Sequence, residues 1–368
     1  MIYMKDEEIL QKFQTTRRLK PQTIRGYKDT IRIYTQFNNL TLQELFTEAI
    51  NEEIDRIRWA DRTLKRRLEE FRIYLYDTYT KKTARMHFGR IKTVYAHFDI
   101  EIHKLPPVQS EDKEPPITYK DLPTKQILQK AINISEPMIK ALILFMVSTG
   151  CAKKETRHIT IQDFIEATKQ YHNKDNITDV LNVLKDHDDI VPIFHIYRYK
   201  TKKWYYTCAT PEATTAIIHH LIRLLNNKQE LKPTDRIFGV NKDYFSNYFI
   251  DINTALGLGK VRKFNRFTSH MLRRYHASTL QDAGMDKETV NRLQGKGQNP
   301  TDDAYFKVNP VKLREKYMEY MDALYVIRDT VDVKSPEFIQ LENENKELRS
   351  REEQLKSILE RIEALENK

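Results

Sequence analysis

Residues 270–305 read HMLRRYHASTLQDAGMDKETVNRLQGKGQNPTDDAY, and this stretch decides how the rest of the chain is read. His270 and Arg273 are three apart, so on a helix they share one face. Arg274, His276 and Lys296 add further polar or cationic donors, and the stretch closes on Tyr305 in a polar, turn-rich run. Arginine offers a planar fork that matches two phosphate oxygens, histidine a titratable donor, and tyrosine a nucleophilic oxygen. The combination reads as an anion site. The stretch holds no acidic cluster for Mg²⁺ and no Cys/His spacing for Zn²⁺, so phosphoryl chemistry here is expected to be metal-free and covalent through Tyr305.

At 368 residues the chain is long enough for two domains, and 40% hydrophobic with 31% charged residues is a globular, helix-leaning composition. Only 9 glycines argue against a turn-dense β fold. The net charge of +10 points to a polyanionic partner. The surplus is uneven, because Glu337–Lys368 carries 9 acidic and 6 basic residues, leaving +13 on residues 1–336. Cys151 and Cys208 stand in unrelated contexts, which fits a reducing compartment rather than a disulfide framework. With no signal peptide and no apolar run near 18 residues, the expectation is a cytoplasmic protein without a membrane partner.

Outward from the opening stretch, the N-terminal part is helical. After a short leader (1–16), Ile24, Tyr27, Ile31 and Tyr34 recur at helical spacing behind Pro21. The pattern repeats over Thr41–Ile57, over Asp61–Tyr79 and over Thr83–Phe98. The last of these is expected to turn Arg85, His87, Arg90, Lys92 and His97 outward. Residues 105–116, LPPVQSEDKEPP, form a proline-rich linker. A second domain over 117–330 begins with a helix within Asp121–Ile132, capped by Thr124 or Asp121, and an apolar helix Pro137–Ser148 ended by Gly150. Period-2 runs over Thr160–Phe164 and Ile190–Thr207 read as strands, the latter a hairpin around Lys200–Lys203. Helices follow at Thr210–Leu225, Asp243–Leu256, His270–Ala283, Asp286–Leu293 and Asn309–Leu324. The tail, 331–368, has Leu341, Leu348, Leu355 and Ile362 at sevens, a partly formed coiled-coil helix.

Singly, these signals are ordinary; Tyr305 is one of 20 tyrosines. In combination and order they resemble the tyrosine recombinase (phage-type integrase) family, of Xer-like or archaeal-type integrases, over roughly residues 17–325. HMLRRYHAST resembles its His-x-x-Arg helix. LQGKGQNPTDDAY resembles its tyrosine segment, with Lys296 where the family has His or Trp. RYKTKKWYYT resembles the hairpin that carries its lysine, which is Lys200 here. The resemblance implies a mainly α fold with a small β-sheet. It further implies a two-domain, C-shaped DNA clamp, with a helical core-binding domain (17–104) and a mixed α+β catalytic domain.

One position departs from the family. Its first arginine is expected in the form Gly-x-Arg-x-x-Glu, but here Gly150 is followed by Cys151, Ala152, Lys153, Lys154 and Glu155. Lys153 is the substitute the sequence suggests, with charge but no bidentate fork. The resemblance implies attack by Tyr305 on a DNA phosphate, giving a 3′-phosphotyrosyl link without cofactor, metal or ATP. In it His270 is the base, Arg273 and Lys153 clamp the phosphate, Lys200 is the general acid and Lys296 a further donor. Double-stranded DNA would be gripped through Arg25, Lys28, Arg85, Arg90, Lys92 and Arg274, by four protomers on two sites. Two other readings stay open: a DNA-binding protein whose chemistry is impaired at Ala152, and a relaxing enzyme of the topoisomerase IB type.

Overall fold

The structure, a computed structural model, describes residues 5–109, 115–187, 189–296 and 308–328. Tyr305 and the heptad tail lie outside the described residues. The chain divides into two compact units, Met1–Pro116 and Ile117–Lys368.

The first unit is built from α1 (Asp6–Thr16), α2 (Pro21–Asn38), α3 (Leu42–Ile54), α4 (Thr63–Thr78) and α5 (Lys81–His97). Of the residues expected on the amphipathic faces, Tyr34, Leu68 and Phe71 are fully buried in its core, Tyr27 is only partly buried, and Met86, expected on the apolar face of α5, is 43% exposed. The leader belongs to this core, since Ile9 and Phe13 of α1 are buried within it. Asp6 also accepts from the Leu42 and Gln43 amides at 3.1 and 2.9 Å, supplying partners for the free N–H groups that open α3.

The second unit follows with α6 (Lys125–Asn133), α7 (Pro137–Thr149), α8 (Lys153–Thr156), α9 (Ile161–Thr168) and α10 (Ile177–Leu184). A hairpin of β1 (Ile193–Arg198) and β2 (Lys203–Cys208) pairs Ile193 with Cys208 and Arg198 with Lys203. Then come α11 (Pro211–Asn226), α12 (Lys242–Ala255), the short pair β3 (Lys260–Val261) and β4 (Phe264–Asn265), α13 (Ser269–Asp282) and α14 (Lys287–Leu293). A last helix, Pro310–Met318, and a 3₁₀ turn at Met321–Leu324 divide the segment expected as one helix.

Helix α7 is the axis of this unit. From Ala141 to Thr149 every side chain is buried, and α11 and α13 pack against it. One expectation fails here: Thr160–Phe164 is no strand but the start of α9. Thr160 accepts from the Asp163 amide at 3.2 Å while Asp163 accepts from the Thr160 amide at 2.8 Å, a reciprocal cap that favours helix over the two-residue alternation.

On the hairpin, Phe194 and Ile196 are buried, so the side chains of alternate residues face the core. The opposite face holds an aromatic row. His195 stacks on Tyr206 with centroids 4.4 Å apart and lies 4.8 Å from the 60% exposed Trp204. Far along the chain, Glu212 of α11 accepts the Val326 and Ile327 amides at 2.7 and 2.9 Å, fixing the end of the described chain to the unit. No helix among the described residues is long and apolar enough to cross a membrane.

Candidate functional site

The site begins with the unsatisfied carbonyls that end every α-helix. At the C-terminus of α7 three carbonyls find side-chain donors, each from a different element. Tyr317 Oη donates to Ser148 at 2.9 Å, Thr207 Oγ1 to Thr149 at 3.0 Å, and Arg273 Nη1 to Gly150 at 2.5 Å. Gly150 has φ of 63°, and a Cβ there would lie 2.7 Å from His276 Nδ1 and 2.9 Å from Gln294 Nε2. No other residue suits that turn. A cation beside a helix C-terminus is also favoured by the helix dipole.

Arg273 is 7% exposed and held on three sides. Its Nη2 donates to the Gln294 carbonyl at 2.6 Å, and its Nη1 lies 3.8 Å from Glu155 Oε2. Burial pushes its pKa below the usual guanidinium value, and the charge of Arg198 adds to this. Gln294 is fully buried, with Nε2 donating to the Arg273 carbonyl at 2.9 Å and lying 3.0 Å from His276 Nδ1. Glu155 accepts from the Ala152 amide at 2.7 Å and from Tyr205 Oη at 3.2 Å. Cys151 Sγ lies 3.3 Å from the same phenol, and burial raises the thiol to about 12, so it stays an unreactive packing group.

Around Arg273 the structure gathers most of the expected cations. His270 lies one turn before it on α13, with its ring partly in solvent. Partial burial, then the charges of Arg274, Arg273, Lys296 and Lys200, hold its pKa below the ordinary 6.5, so it is neutral at pH 7. Lys296 follows Gly295 after α14, and its pKa is lowered by burial, then by Arg273 and Arg198. Lys200 is exposed in the hairpin turn. Arg274 is half-buried on α13. Tyr305 belongs to the undescribed segment. Among the described residues no group of three His, Cys, Asp or Glu is placed to hold a metal.

Lys153 does not join them. Its amine donates to the Lys242 carbonyl at 2.9 Å and to Ser246 Oγ, and it sits 4.9 Å above the Phe245 ring. It lines a cleft of about 350 Å³ with Lys260, Lys263 and Phe264. The residue sequence reasoning passed over is Arg198, at the end of β1, whose Nη1 donates to the same Gln294 carbonyl that Arg273 holds. The signal was present: Arg198 has the same parity as the buried Phe194 and Ile196, an inward register where a charge is out of place.

In the first unit, Arg25, Lys28, Arg85 and Lys92 are exposed. His87 and Arg90 depart from the expected outer face. His87 is buried with Nδ1 2.8 Å from Thr30 Oγ1, and Arg90 donates to the Gly26 carbonyl at 3.0 Å. Both help join α2 to α5.

No family model matches the sequence, and no curated protein does. Solved structures do match. The integrase of the Tn1549 transposon, residues 82–397 in complex with transposon right end DNA, superposes with a TM-score of 0.51 at 15% identity, covering 86% of this chain and 99% of that one. A lambda integrase tetramer bound to a Holliday junction gives 0.48 at 13%, covering 84% and 81%. XerH site-specific recombinase bound to its difH substrate gives 0.45 at 12%, covering 85% and 91%. The chain has the tyrosine recombinase/integrase fold, mainly helical with a small hairpin sheet.

Proposed function

We propose that the protein is a site-specific DNA recombinase that breaks and rejoins duplex DNA through a 3′-phosphotyrosyl link at Tyr305. The observation that carries this reading is the gathering of His270, Arg273, Lys296 and Lys200 around the end of α7, on a fold shared with an integrase bound to DNA. Arg273 binds the non-bridging oxygens of the scissile phosphate. Tyrosine ionises near pH ~10, so its proton needs an acceptor at neutrality, and the neutral His270 is that base. Lys200 protonates the departing 5′-oxygen, and Lys296 donates to the phosphate. Energy is conserved in the phosphotyrosyl link until the 5′-hydroxyl of a second strand attacks it.

Binding would draw on Arg25, Lys28, Arg85, Lys92 and Arg274, with a smaller share from Arg90, whose donors are partly committed within its own unit. Affinity should fall by about 0.9 log unit per log unit of salt for each phosphate neutralised. Assembly is taken as four protomers on two sites, and the compartment as the cytoplasm. The test is a duplex suicide substrate, nicked so that cleavage traps the covalent complex. The protein should form an adduct that survives denaturant, and Tyr305→Phe should form none. Absence of adduct with specific DNA binding retained would favour the non-cleaving alternative, and relaxation of supercoils without sequence preference the topoisomerase one.

A further inference from the structure

A phosphate passing through a five-coordinate state presents more charge than one guanidinium can pair, and the slot where the resemblance expects a further arginine holds Ala152. Four cations are candidates to compensate, and one of them, Lys154, sets its amine 4.1 Å over the Tyr199 ring. Lys153 has its amine committed to Lys242 and Ser246 on α12. Arg157 turns its Nε to the Val240 carbonyl at 3.0 Å. Arg198 is different: it meets Arg273 on one oxygen, the Gln294 carbonyl. Its Nε is buried and has no partner among the described residues.

Two guanidinium groups on one carbonyl, with Lys296 beside them, form a local excess of positive charge. Glu155 is the single carboxylate ion-paired with Arg273 among the described residues. Such an arrangement is costly without an anion and favourable with one. The hairpin keeps it rigid. Arg198 is the last paired residue of β1, opposite Lys203, and the Lys202 amide closes the turn onto the Arg198 carbonyl at 2.8 Å. The same turn carries Lys200 two residues on, so one strand end delivers both groups.

We infer that Arg198 is the second phosphate-binding arginine, forming with Arg273 a two-guanidinium clamp on the scissile phosphodiester in place of the cation missing at Ala152. This rests on the strand-transfer reading above and deepens it. Lys153 is then a structural lysine of the α8–α12 contact.

The experiment uses the full chain with two readouts. In the suicide-substrate assay, Arg198→Ala should slow adduct formation by about 10²–10³, as expected for loss of one transition-state donor. Arg198→Lys should recover part of the rate, and Lys153→Ala should remain within severalfold of the parent. A larger loss from Lys153→Ala than from Arg198→Ala overturns the clamp. Independently, ¹⁵N spectra of the arginine Nε–H groups are recorded while inorganic phosphate is added, with thermal melting of each variant as a folding control. The Arg198 and Arg273 signals should shift together and saturate together. An Arg198 signal that does not move overturns the clamp, whatever the protein does to DNA. Joint movement in a protein that forms no adduct keeps the clamp and removes the strand-transfer reading.

Discussion

Arg90 and Arg273 make the same first contact in the two units. Each donates Nη1 to the carbonyl of a glycine on a neighbouring helix or helix end, Gly26 for one and Gly150 for the other. In the first unit that is the end of the matter. Arg90 also donates to Thr30 Oγ1 at 3.3 Å and lies 5.7 Å over the Tyr27 ring, so its charge is spread over neutral partners and solvent. In the second unit the arginine is more deeply buried and has three more cations about it, Arg198, Lys296 and Lys200, with the neutral His270 one turn before it. The difference teaches that a buried arginine does not mark a binding site. Arg273 is the candidate because other cations crowd it with Glu155 as its ion-pair partner, and folding alone gains little from that crowding.

The sharpest way to break the comparison is to remove each arginine in turn. Arg273→Ala should cut adduct formation by about 10²–10³. It should also destabilise the second unit, because Glu155, 4% exposed, loses its ion-pair partner. Next in size is Gly150→Ala. The left-handed conformation alone costs about 1–2 kcal/mol in a residue with a Cβ, and the new methyl meets His276 and Gln294, so chemical denaturation should register a larger loss than that. An unchanged midpoint would mean that the α7 terminus does not have the geometry described.

A third test uses pH. His276 is fully buried, and burial followed by the charges of Arg273 and Lys296 lowers its pKa from 6.5 to about 3. Between those values the unfolded chain binds a proton that the folded chain does not. Stability should therefore fall as pH drops from 6.5 toward 3, by at most about 1.4 kcal/mol per pH unit from this group. His276→Gln should flatten that slope in urea titrations at pH 7 and pH 5. The smallest effect is expected from Arg90→Ala, about 1 kcal/mol of stability from its hydrogen bonds with the adduct rate unchanged on saturating DNA. A large rate loss there would erase the distinction between the two arginines.

Much of this was legible in the sequence. Helical spacing located the helices of the first unit, Gly150 the end of α7, and His270 with Arg273 the face of α13, because these depend on local periodicity and capping. The misreadings came where a local signal had two meanings. TIQDF satisfies both a two-residue alternation and a helix cap, and the reciprocal Thr160–Asp163 cap prevails. His87 and Arg90 look like surface cations until α2 brings Thr30 and Gly26 against them. Lys153 is the nearest charge to Ala152 along the chain, but a lysine at the first position of α8 reaches α12 rather than Arg273. Arg198 is 46 residues past Ala152 in sequence, and only the hairpin's packing beside α14 brings it to the Gln294 carbonyl.

The aromatic row on the outer face of the hairpin has a practical consequence. The chain has two tryptophans, Trp59 in the first unit and Trp204 on β2. Each unit thus carries its own fluorophore, and Trp59→Phe would leave a single emitter on the strand that pairs with the one ending in Arg198. That indole is 60% exposed and within 4.8 Å of His195, an imidazole able to quench it when protonated. Stopped-flow emission from Trp204 would then time events at the hairpin directly, with no dye, label or radioactive strand.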